Sequence, residues 1–284
     1  MNYIEKEISI ITPSYNMLEY LKLCAASVAD QQGVECEHII VDGMSTDGTA
    51  AWLSSQSGIR YISEPDNGMY DAINKGLKSA KGDILAYLNC DEQYLPGILS
   101  FVKDYFNNHP DVDVLFGDFL AVNPDGSLVS YRKAFQPRRL YIEATHLYVF
   151  TCTMFFRRKI IDNNIYFDTI YKSISDSIFT AELLKRGYKA KHLKKYLAVF
   201  IMTGNNDFLT KKAVDEQRKY ISQNRLILPK LLHHPINFFR IAEKVIHGCY
   251  YQKFPLKYSI YLNSYTNNRK EITAVKGTPF WRLQ

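Results

Sequence analysis

Asn89, Asp91 and Glu92 stand together just after the apolar run Ile84-Leu85-Ala86-Tyr87-Leu88. That run reads as a short buried strand. The oxygen-bearing side chains therefore cluster past a strand's carboxyl end, where ligands bind in an open α/β sheet. Asp91 and Glu92 are suited to a hard divalent cation, which could bridge the phosphates of a nucleotide. Acidic residues after a strand also act as helix N-caps or solvated turns, and the cluster alone leaves that alternative open.

Upstream positions repeat the pattern. Thr12-Pro13-Ser14-Tyr15-Asn16 follows the β-branched run Ile8 to Ile11, Asp42 follows His38 to Val41, and Asp66 follows Arg60 to Ser63. If these runs are parallel strands, all four loops share one edge of a sheet. No Gly-x-Gly-x-x-Gly follows the first run and no P-loop is present, which argues against a dinucleotide fold or a P-loop NTPase. A nucleotide here would be held by side chains: an aromatic face at Tyr15, the Asp42 carboxylate accepting a base N–H, and a metal on the diphosphate.

The elements that must position these residues alternate. Leu18, Leu21, Ala25 and Val28 fall at helical spacing, Ser45-Thr46-Asp47-Gly48 caps a helix over 49–55, and Met69, Ile73, Leu77 and Ala80 mark one over 70–81. This β-α-β-α-β-α-β order predicts an α/β fold with a mostly parallel sheet flanked by helices. Further on, the pattern predicts a helix over 99–106, strands over 112–116, 131–134 and 149–156, and a helix over 177–186 ended by Gly187. Beyond Val214 the chain reads as helical, broken at Pro229, Pro235 and Pro255.

The chain has 284 residues, 46% hydrophobic and 23% charged, values of a folded globular protein. Five cysteines form no Cys-x-x-Cys pair, so neither a disulfide framework nor a zinc site is expected. That usage favours a reducing compartment. The N-terminus lacks the pattern of a signal peptide, and the apolar run Leu147 to Phe156 is too short to span a bilayer. A cytoplasmic location follows as an expectation. Residues 219–284 hold eleven Lys and Arg against Glu243 and Glu271, so they carry +9 of a net +6 and leave −3 on residues 1–218. The basic segment suggests an anionic partner, a membrane surface or nucleic acid. No nucleic-acid-binding motif is recognisable, which disfavours the latter.

Ile8 to Asn16 and His38 to Thr49 resemble segments of family 2 glycosyltransferases with the GT-A fold. Ser63-Glu64-Pro65-Asp66-Asn67-Gly68-Met69-Tyr70-Asp71-Ala72-Ile73-Asn74-Lys75-Gly76 resembles a subgroup that builds bacterial O-antigens and exopolysaccharides. The resemblance is dense over residues 8–92 and thins towards residue 206. It implies a GT-A (Rossmann-like) catalytic domain over 1–218, with a nucleotide-binding half to about 110 and an acceptor half beyond. A helical, basic and aromatic extension over 219–284 would follow. The implied reaction is inverting, metal-dependent transfer (Mn or Mg) from a nucleotide-diphospho-sugar. UDP is the base expected from Thr12, Tyr15 and Asp42, and the acceptor would be a hydroxyl of a glycan or polyprenyl-linked glycan.

The same resemblance implies roles. Thr12, Tyr15 and Asp42 match positions that grip the nucleoside, within donor loops that include Pro13, Asn16 and Asp66. Asp71, Asn74 and Lys75 match the loop and helix over the diphosphate and sugar. Asn89-Cys90-Asp91 stands where the family has Asp-x-Asp, with Asp91 as the metal carboxylate and Asn89 in place of the first. Asp176, opening a helix, matches the catalytic base. As an N-cap it would have only a structural role. Held at the helix N-terminus, its carboxylate is expected to stay ionised. Met202 to Asn206 sits where relatives have an acceptor loop.

His146 is read as a partly buried structural residue, Arg157-Arg158-Lys159 as a solvated strand end, and Gly117-Asp118 as shaping the acceptor or sugar pocket. The tail's Leu226, Leu228, Leu231, Leu232, Phe238, Phe239, Ile241, Val245 and Ile246 among basic residues suit a helix at an anionic membrane interface, at the inner face of the plasma membrane. Packing on the catalytic domain or a second copy of the chain is the alternative. Two other functions stay open from sequence: a nucleotidyltransferase, and a non-catalytic sugar-nucleotide or carbohydrate-binding protein.

Overall fold

The structure, a computed structural model, describes residues 7–204, 214–216, 218–220, 233–264 and 268–280. Asn205 and Asn206 of the expected acceptor loop, and Leu226, Leu228, Leu231 and Leu232 of the tail, lie outside the described residues.

The first half builds β1 (Ile8–Ser14), α1 (Leu18–Ala29), β2 (Cys36–Asp42), α2 (Thr49–Ser54), β3 (Ile59–Ser63), α3 (Met69–Ser79) and β4 (Ile84–Tyr87). The strands lie in the order β3-β2-β1-β4, all parallel. The expected alternation is therefore present. Side chains alternate across the sheet: Ile11, Leu85 and Tyr87 enter one core layer, Ile10, Ala86 and Leu88 the other. Both faces are buried, which is why these strands read as continuous apolar runs. Gly76 allows α3 close to β1, since a Cβ there would sit 2.4 Å from Ile11 Cγ2.

The second half is β5 (Glu92–Tyr94), α4 (Ile98–Asn108), β6 (Val114–Val122), β7 (Leu128–Arg132), α5 (Arg139–Ala144), β8 (Phe155–Arg157), α6 (Lys159–Asp162), α7 (Ser175–Lys185) and β9 (Ala190–Ile201). The sheet continues from β4 as β8-β6-β9-β5, with β7 on β6. Here the pairing is mixed: β6 and β9 are parallel, while β8 runs against both β4 and β6. The expected strand over 149–156 is corrected to β8 alone. Thr151–Thr153 form a 3-10 turn instead. The Thr153 hydroxyl bonds the backbone of Gly117 and Phe150, an alternative to strand pairing.

The wholly helical reading of the C-terminal segment is also corrected. Helix α8 (His233–Ile246) is followed by an antiparallel pair, β10 (Leu256–Ile260) and β11 (Lys270–Ala274). Tyr258 and Ile260 alternate with Lys257 and Ser259, the period of a strand. They pack with Ala274 on Leu120, Val122, Val199 and Ile201 of the main sheet. Arg269 grips both oxygens of Asp30 at 2.5 and 2.8 Å and is nearly buried, so part of the basic tail anchors to the chain itself. Among the described residues no helix is long and apolar enough to cross a membrane.

Candidate functional site

The turn after β4 closes on itself. Glu92 Oε2 accepts from the Asn89 backbone N–H at 2.7 Å, and the Asp91 carbonyl accepts from Ile201 N at 2.8 Å. The turn is thus tied to β9. Asn89 Oδ1 is buried and, among the described residues, has no hydrogen-bond partner, an unusual state for a buried acceptor. Glu92 is buried, and burial pushes its carboxyl up to about 8, with the negative charge of Asp91 adding to the rise. Cys90 is buried and donates its thiol to the Pro13 carbonyl at 3.2 Å, so it joins the β1 and β4 loops rather than facing a ligand. Among the described residues no three His, Cys, Asp or Glu cluster as a complete metal cage. The Asp91 carboxylate, two residues on from that Asn89 oxygen in the same turn, fits a cation that takes its remaining ligands from phosphate and water.

Asp176 lies in the first turn of α7, after Ile174 at the N-cap position. It is therefore not the capping residue. Its carboxylate accepts from Ser177 N at 2.7 Å and from the Tyr70 hydroxyl. Burial nevertheless pushes the carboxyl up from 3.8 to about 6. The expectation that the helix end keeps it strongly acidic is corrected, because desolvation outweighs the donors. The charge of Asp176 also acts on Glu92, which places the two carboxyl groups in one electrostatic neighbourhood. Tyr70, on the inner face of α3, was not singled out from sequence. Its aromatic ring reads as core, and only the fold brings its hydroxyl to α7. Glu216 was missed as well. It accepts from Lys172 N at 3.0 Å and Ser173 N at 2.8 Å and so orders the approach to α7.

The loops after β1 and β2 interlock. Asn16 Oδ1 accepts from Thr46 N at 2.8 Å, Asn16 N donates to Ser45 Oγ at 2.8 Å, and Asp47 accepts from Leu18 N at 2.8 Å. Asn16 adopts a left-handed conformation (φ 51°), which its residue type tolerates. Tyr15 is left 65% exposed, an aromatic face without a cover. Asp42 has no exposed surface, and its carboxylate accepts from Ser63 Oγ at 2.8 Å and Ser45 N at 3.3 Å. Asp66 anchors one oxygen on Gly68 N at 2.7 Å. Its other oxygen lies against Gly43, where a Cβ would be 2.5 Å away, and the Tyr15 ring flanks the same spot at 3.5 Å. The accessible surface is thus Tyr15, Gly43 and Asp66, with Asp42 behind it. Thr12 is corrected from a ligand contact to a core residue. It is fully buried, with its hydroxyl 2.8 Å from His38 Nε2, and burial pushes that imidazole down to about 4.

On α3, Asn74 has both ends of its amide on the Phe167 backbone, at 2.8 and 3.0 Å, so any reach to a ligand is indirect. Lys75 contacts the Pro65 carbonyl at 2.7 Å, Glu64 at 2.9 Å and Asp71 at 3.7 Å. Asp71 accepts from Asn67 N at 3.0 Å, and Lys172, missed from sequence, donates to the Asn67 carbonyl. These groups brace the 64–68 loop beside Asp66. Part of His146 is open to solvent, yet burial, then the charges of Arg240, Lys244 and Arg132, push its imidazole down to about 4. Arg157 and Arg158 bind backbone carbonyls of Val112, Phe106, Ala80 and Gly82 instead of solvent. Asp118 is buried on His192 Nε2 (2.9 Å) and Ala134 N (3.0 Å). It lines a cavity of about 270 Å³ with Lys133, Lys194, Tyr196 and Gln252, and neither Asp91 nor Asp176 borders that cavity.

Comparison with known proteins places this geometry among relatives. The family model described as "Glycosyl transferase family 2" matches residues 9–165. An uncharacterized glycosyltransferase of Mycobacterium tuberculosis is 36% identical over 39% of this chain and 44% of its own length. Hyaluronan synthase of Pasteurella multocida is 26% identical over 77% of this chain and 23% of that protein. The chain thus spans less than half the length of either curated relative. Among solved structures, S. aureus TarS 1–349 in complex with UDP-GlcNAc superposes with a TM-score of 0.62 at 21% identity, over 84% of this chain and 73% of that one. A mannosyltransferase of Pyrobaculum calidifontis, in complex with GDP-Man and Mn²⁺, gives 0.53 at 17% identity, over 87% and 77%. At these identities the two structures speak for the shared fold.

Proposed function

The chain belongs to glycosyl transferase family 2, and from that premise we propose that it moves a sugar, with inversion, from a UDP-sugar to a hydroxyl of a glycan or polyprenyl-linked glycan in cell-surface polysaccharide synthesis. The observation that carries this reading is that the charges of Asp91 and Asp176 both act on Glu92, so the turn after β4 and the start of α7 share one electrostatic neighbourhood. Asp91 belongs to the same turn as the Asn89 oxygen that has no partner among the described residues, and half-buried Asp176 is raised to about 6. A carboxylate in the turn after β4 and a carboxyl at Asp176 raised to about 6 suit a charge-holding role and a proton-accepting role. The UDP complexes of TarS support the choice of base, and the Mn²⁺ complex of the mannosyltransferase supports a divalent cofactor.

The stations follow from the geometry. Tyr15 offers the face on which a base stacks, with Asp66 at its edge and Asp42 fixing the loop from behind. Lys75, Asp71 and Lys172 hold the 64–68 loop in place beside that pocket. Asp91 and Asn89 would hold a divalent cation, Mn or Mg, which neutralises charge on the leaving diphosphate. Asp176 accepts the acceptor hydroxyl's proton as the new bond forms, and the Tyr70 hydroxyl orients the carboxylate for it.

A thermal-shift screen of UDP-, GDP-, dTDP- and CMP-sugars with Mn²⁺ tests the proposal. A UDP-sugar should stabilise the protein by about 2.7 kcal/mol at a hundredfold excess over Kd. Nucleotide release should then depend on acceptor. Stabilisation by no donor would defeat the reading, and binding without turnover on any glycan would make the chain a sugar-nucleotide binder. Gly43→Ala provides a local check. The added Cβ would push the Asp66 carboxylate aside, and UDP should bind about tenfold more weakly, the worth of one charged hydrogen bond. Unchanged affinity by calorimetry would remove Asp66 from the base pocket.

Peripheral contact with the inner face of an anionic membrane belongs to the same reading. Phe238, Phe239, Ile241, Val245 and Ile246 are all exposed on α8, as an interfacial helix requires. The full chain should sediment with phosphatidylglycerol vesicles and be released by salt. Failure to sediment at low salt would leave the stripe to another copy of the chain.

A further inference from the structure

We propose that the cavity walled by β6, β9 and the turn after α8 binds a single sugar ring that carries a carboxylate or phosphate group, apart from the donor pocket. Asp118 of β6, Lys133 just past β7, Lys194 and Tyr196 of β9, and His247 and Gln252 past α8 all line it. At about 270 Å³ it lies just under the roughly 300–1,000 Å³ of pockets for drug-sized ligands, a fit for one sugar ring. The walls are tied together before any ligand enters. The Tyr131 hydroxyl donates to the Tyr250 carbonyl at 2.8 Å, the Lys133 ammonium to the Tyr251 carbonyl at 2.8 Å, and the Tyr196 hydroxyl to Gln252 Oε1 at 2.7 Å. The His247 ring stacks on buried Phe135, with 5.5 Å between centres and 5° between planes. A pre-formed pocket spares a ligand the cost of ordering its walls.

The lining groups define the ligand. Asp118 has only 4% of its side chain exposed. Among the described residues its two partners, His192 Nε2 at 2.9 Å and Ala134 N at 3.0 Å, both meet Oδ1, which leaves Oδ2 to accept from a ligand hydroxyl. Lys133 and Lys194 set two ammonium groups against that one carboxylate, a surplus of positive charge that an anionic group answers. The Lys133 ammonium lies 5.8 Å from the centre of the Tyr196 ring, at the same wall. Burial holds that ammonium below its ordinary value, with Asp118 opposing the shift and Lys194 adding to it, so a bound anion would favour its charged form. The rings of Tyr196 and His247 supply apolar surface for the C–H face of a sugar. A neutral sugar would leave the ammonium groups unanswered, and a simple anion would leave Asp118 so.

On the glycosyl-transfer reading, such a ring would be an acidic unit of the acceptor glycan. It would be gripped apart from the unit whose hydroxyl meets Asp176, since neither Asp176 nor Asp91 borders the cavity. That use of the site rests on the glycosyl-transfer reading, while the existence of the site does not.

Calorimetry of the full chain with D-glucuronate and with glucose 6-phosphate, in EDTA so that the metal-dependent donor pocket is silent, tests the site. At least one of the two should bind, and whichever binds more tightly identifies the anionic group as carboxylate or phosphate. Glucose, acetate and inorganic phosphate each carry only part of the chemistry and should bind at least about tenfold more weakly. Lys194 is exposed on β9, so its replacement leaves the core untouched, and an unchanged melting midpoint would report that. Lys194→Met should weaken binding of the anionic sugar about tenfold, and Lys194→Arg should restore it. Binding of neither anionic sugar overturns the site, as does equal binding by Lys194→Met and the wild type. Glucose bound as tightly as its acidic counterparts overturns the anionic class, and acetate or phosphate bound as tightly reduces the cavity to an ion site. Failure of the donor screen with anionic-sugar binding intact would remove the transferase reading and leave the site standing.

Discussion

Asp91→Ala should abolish Mn²⁺-dependent binding of the donor and transfer with it. The Asp91 carboxylate is the proposed ligand of the cation, in the same turn as an Asn89 oxygen that has no partner among the described residues. Glu92 is a poor substitute. It is buried, its oxygen is engaged by the Asn89 N–H, and a carboxyl raised to about 8 is largely protonated near neutral pH. Several kcal/mol of charge stabilisation at the leaving group should be lost, roughly 10³-fold or more in turnover. Asn89→Ala should matter less, because a neutral amide is the weaker ligand for a hard cation. Calorimetry with a UDP-sugar, with and without Mn²⁺, reads the first effect, and single-turnover rates read the second. Full activity in Asp91→Ala would remove the metal assignment.

The half of the fold that carries this site was legible because its strands are buried on both faces and its loops are all at one edge. Ile8 to Ile11, His38 to Val41 and Ile84 to Leu88 are apolar runs with no competing period, so strand type and order followed. The other half hid for identifiable reasons. Strand β9 begins Ala190-Lys191-His192-Leu193-Lys194-Lys195, and no strand was expected there, because its lysines interrupt the apolar pattern although the strand pairs with β6 along its length. The β10–β11 pair is buried by packing on a sheet far away in sequence, which no local pattern reports. Within the candidate site, the expected loops lie after parallel strands at one sheet edge, but no sequence pattern reported the direction of each side chain. Thr12 and Asn74 are polar residues in ligand-edge elements, yet one bonds His38 and the other the Phe167 backbone. Tyr70 shows the converse, a core-facing ring whose hydroxyl reaches the candidate base. Residue type at a spacing predicts where chemistry can be; long-range packing decides which atoms face it.

Asp176→Asn should separate transfer from everything else the residue does. The substitution preserves size and leaves an oxygen to accept from Ser177 N and the Tyr70 hydroxyl, but it removes the proton acceptor. Affinity for donor and metal should survive while transfer falls by about 10²–10⁴-fold. The pH dependence gives an independent sign. In the folded chain the carboxyl holds its proton up to about pH 6, whereas in the unfolded chain it ionises near its ordinary 3.8. The native state therefore binds more protons between these values, and the group's contribution to stability declines as pH rises through that window. Transfer runs the other way: it needs the ionised form and should drop as pH falls below about 6. Asp176→Asn removes both trends. It should be at least as stable as the wild type at pH 7 to 8, and its residual rate should lose the inflection near pH 6. A purely structural Asp176 would give a different result, with wild-type turnover at saturating donor and an unchanged pH profile in the Asn variant, and the mechanism would then have no base at α7.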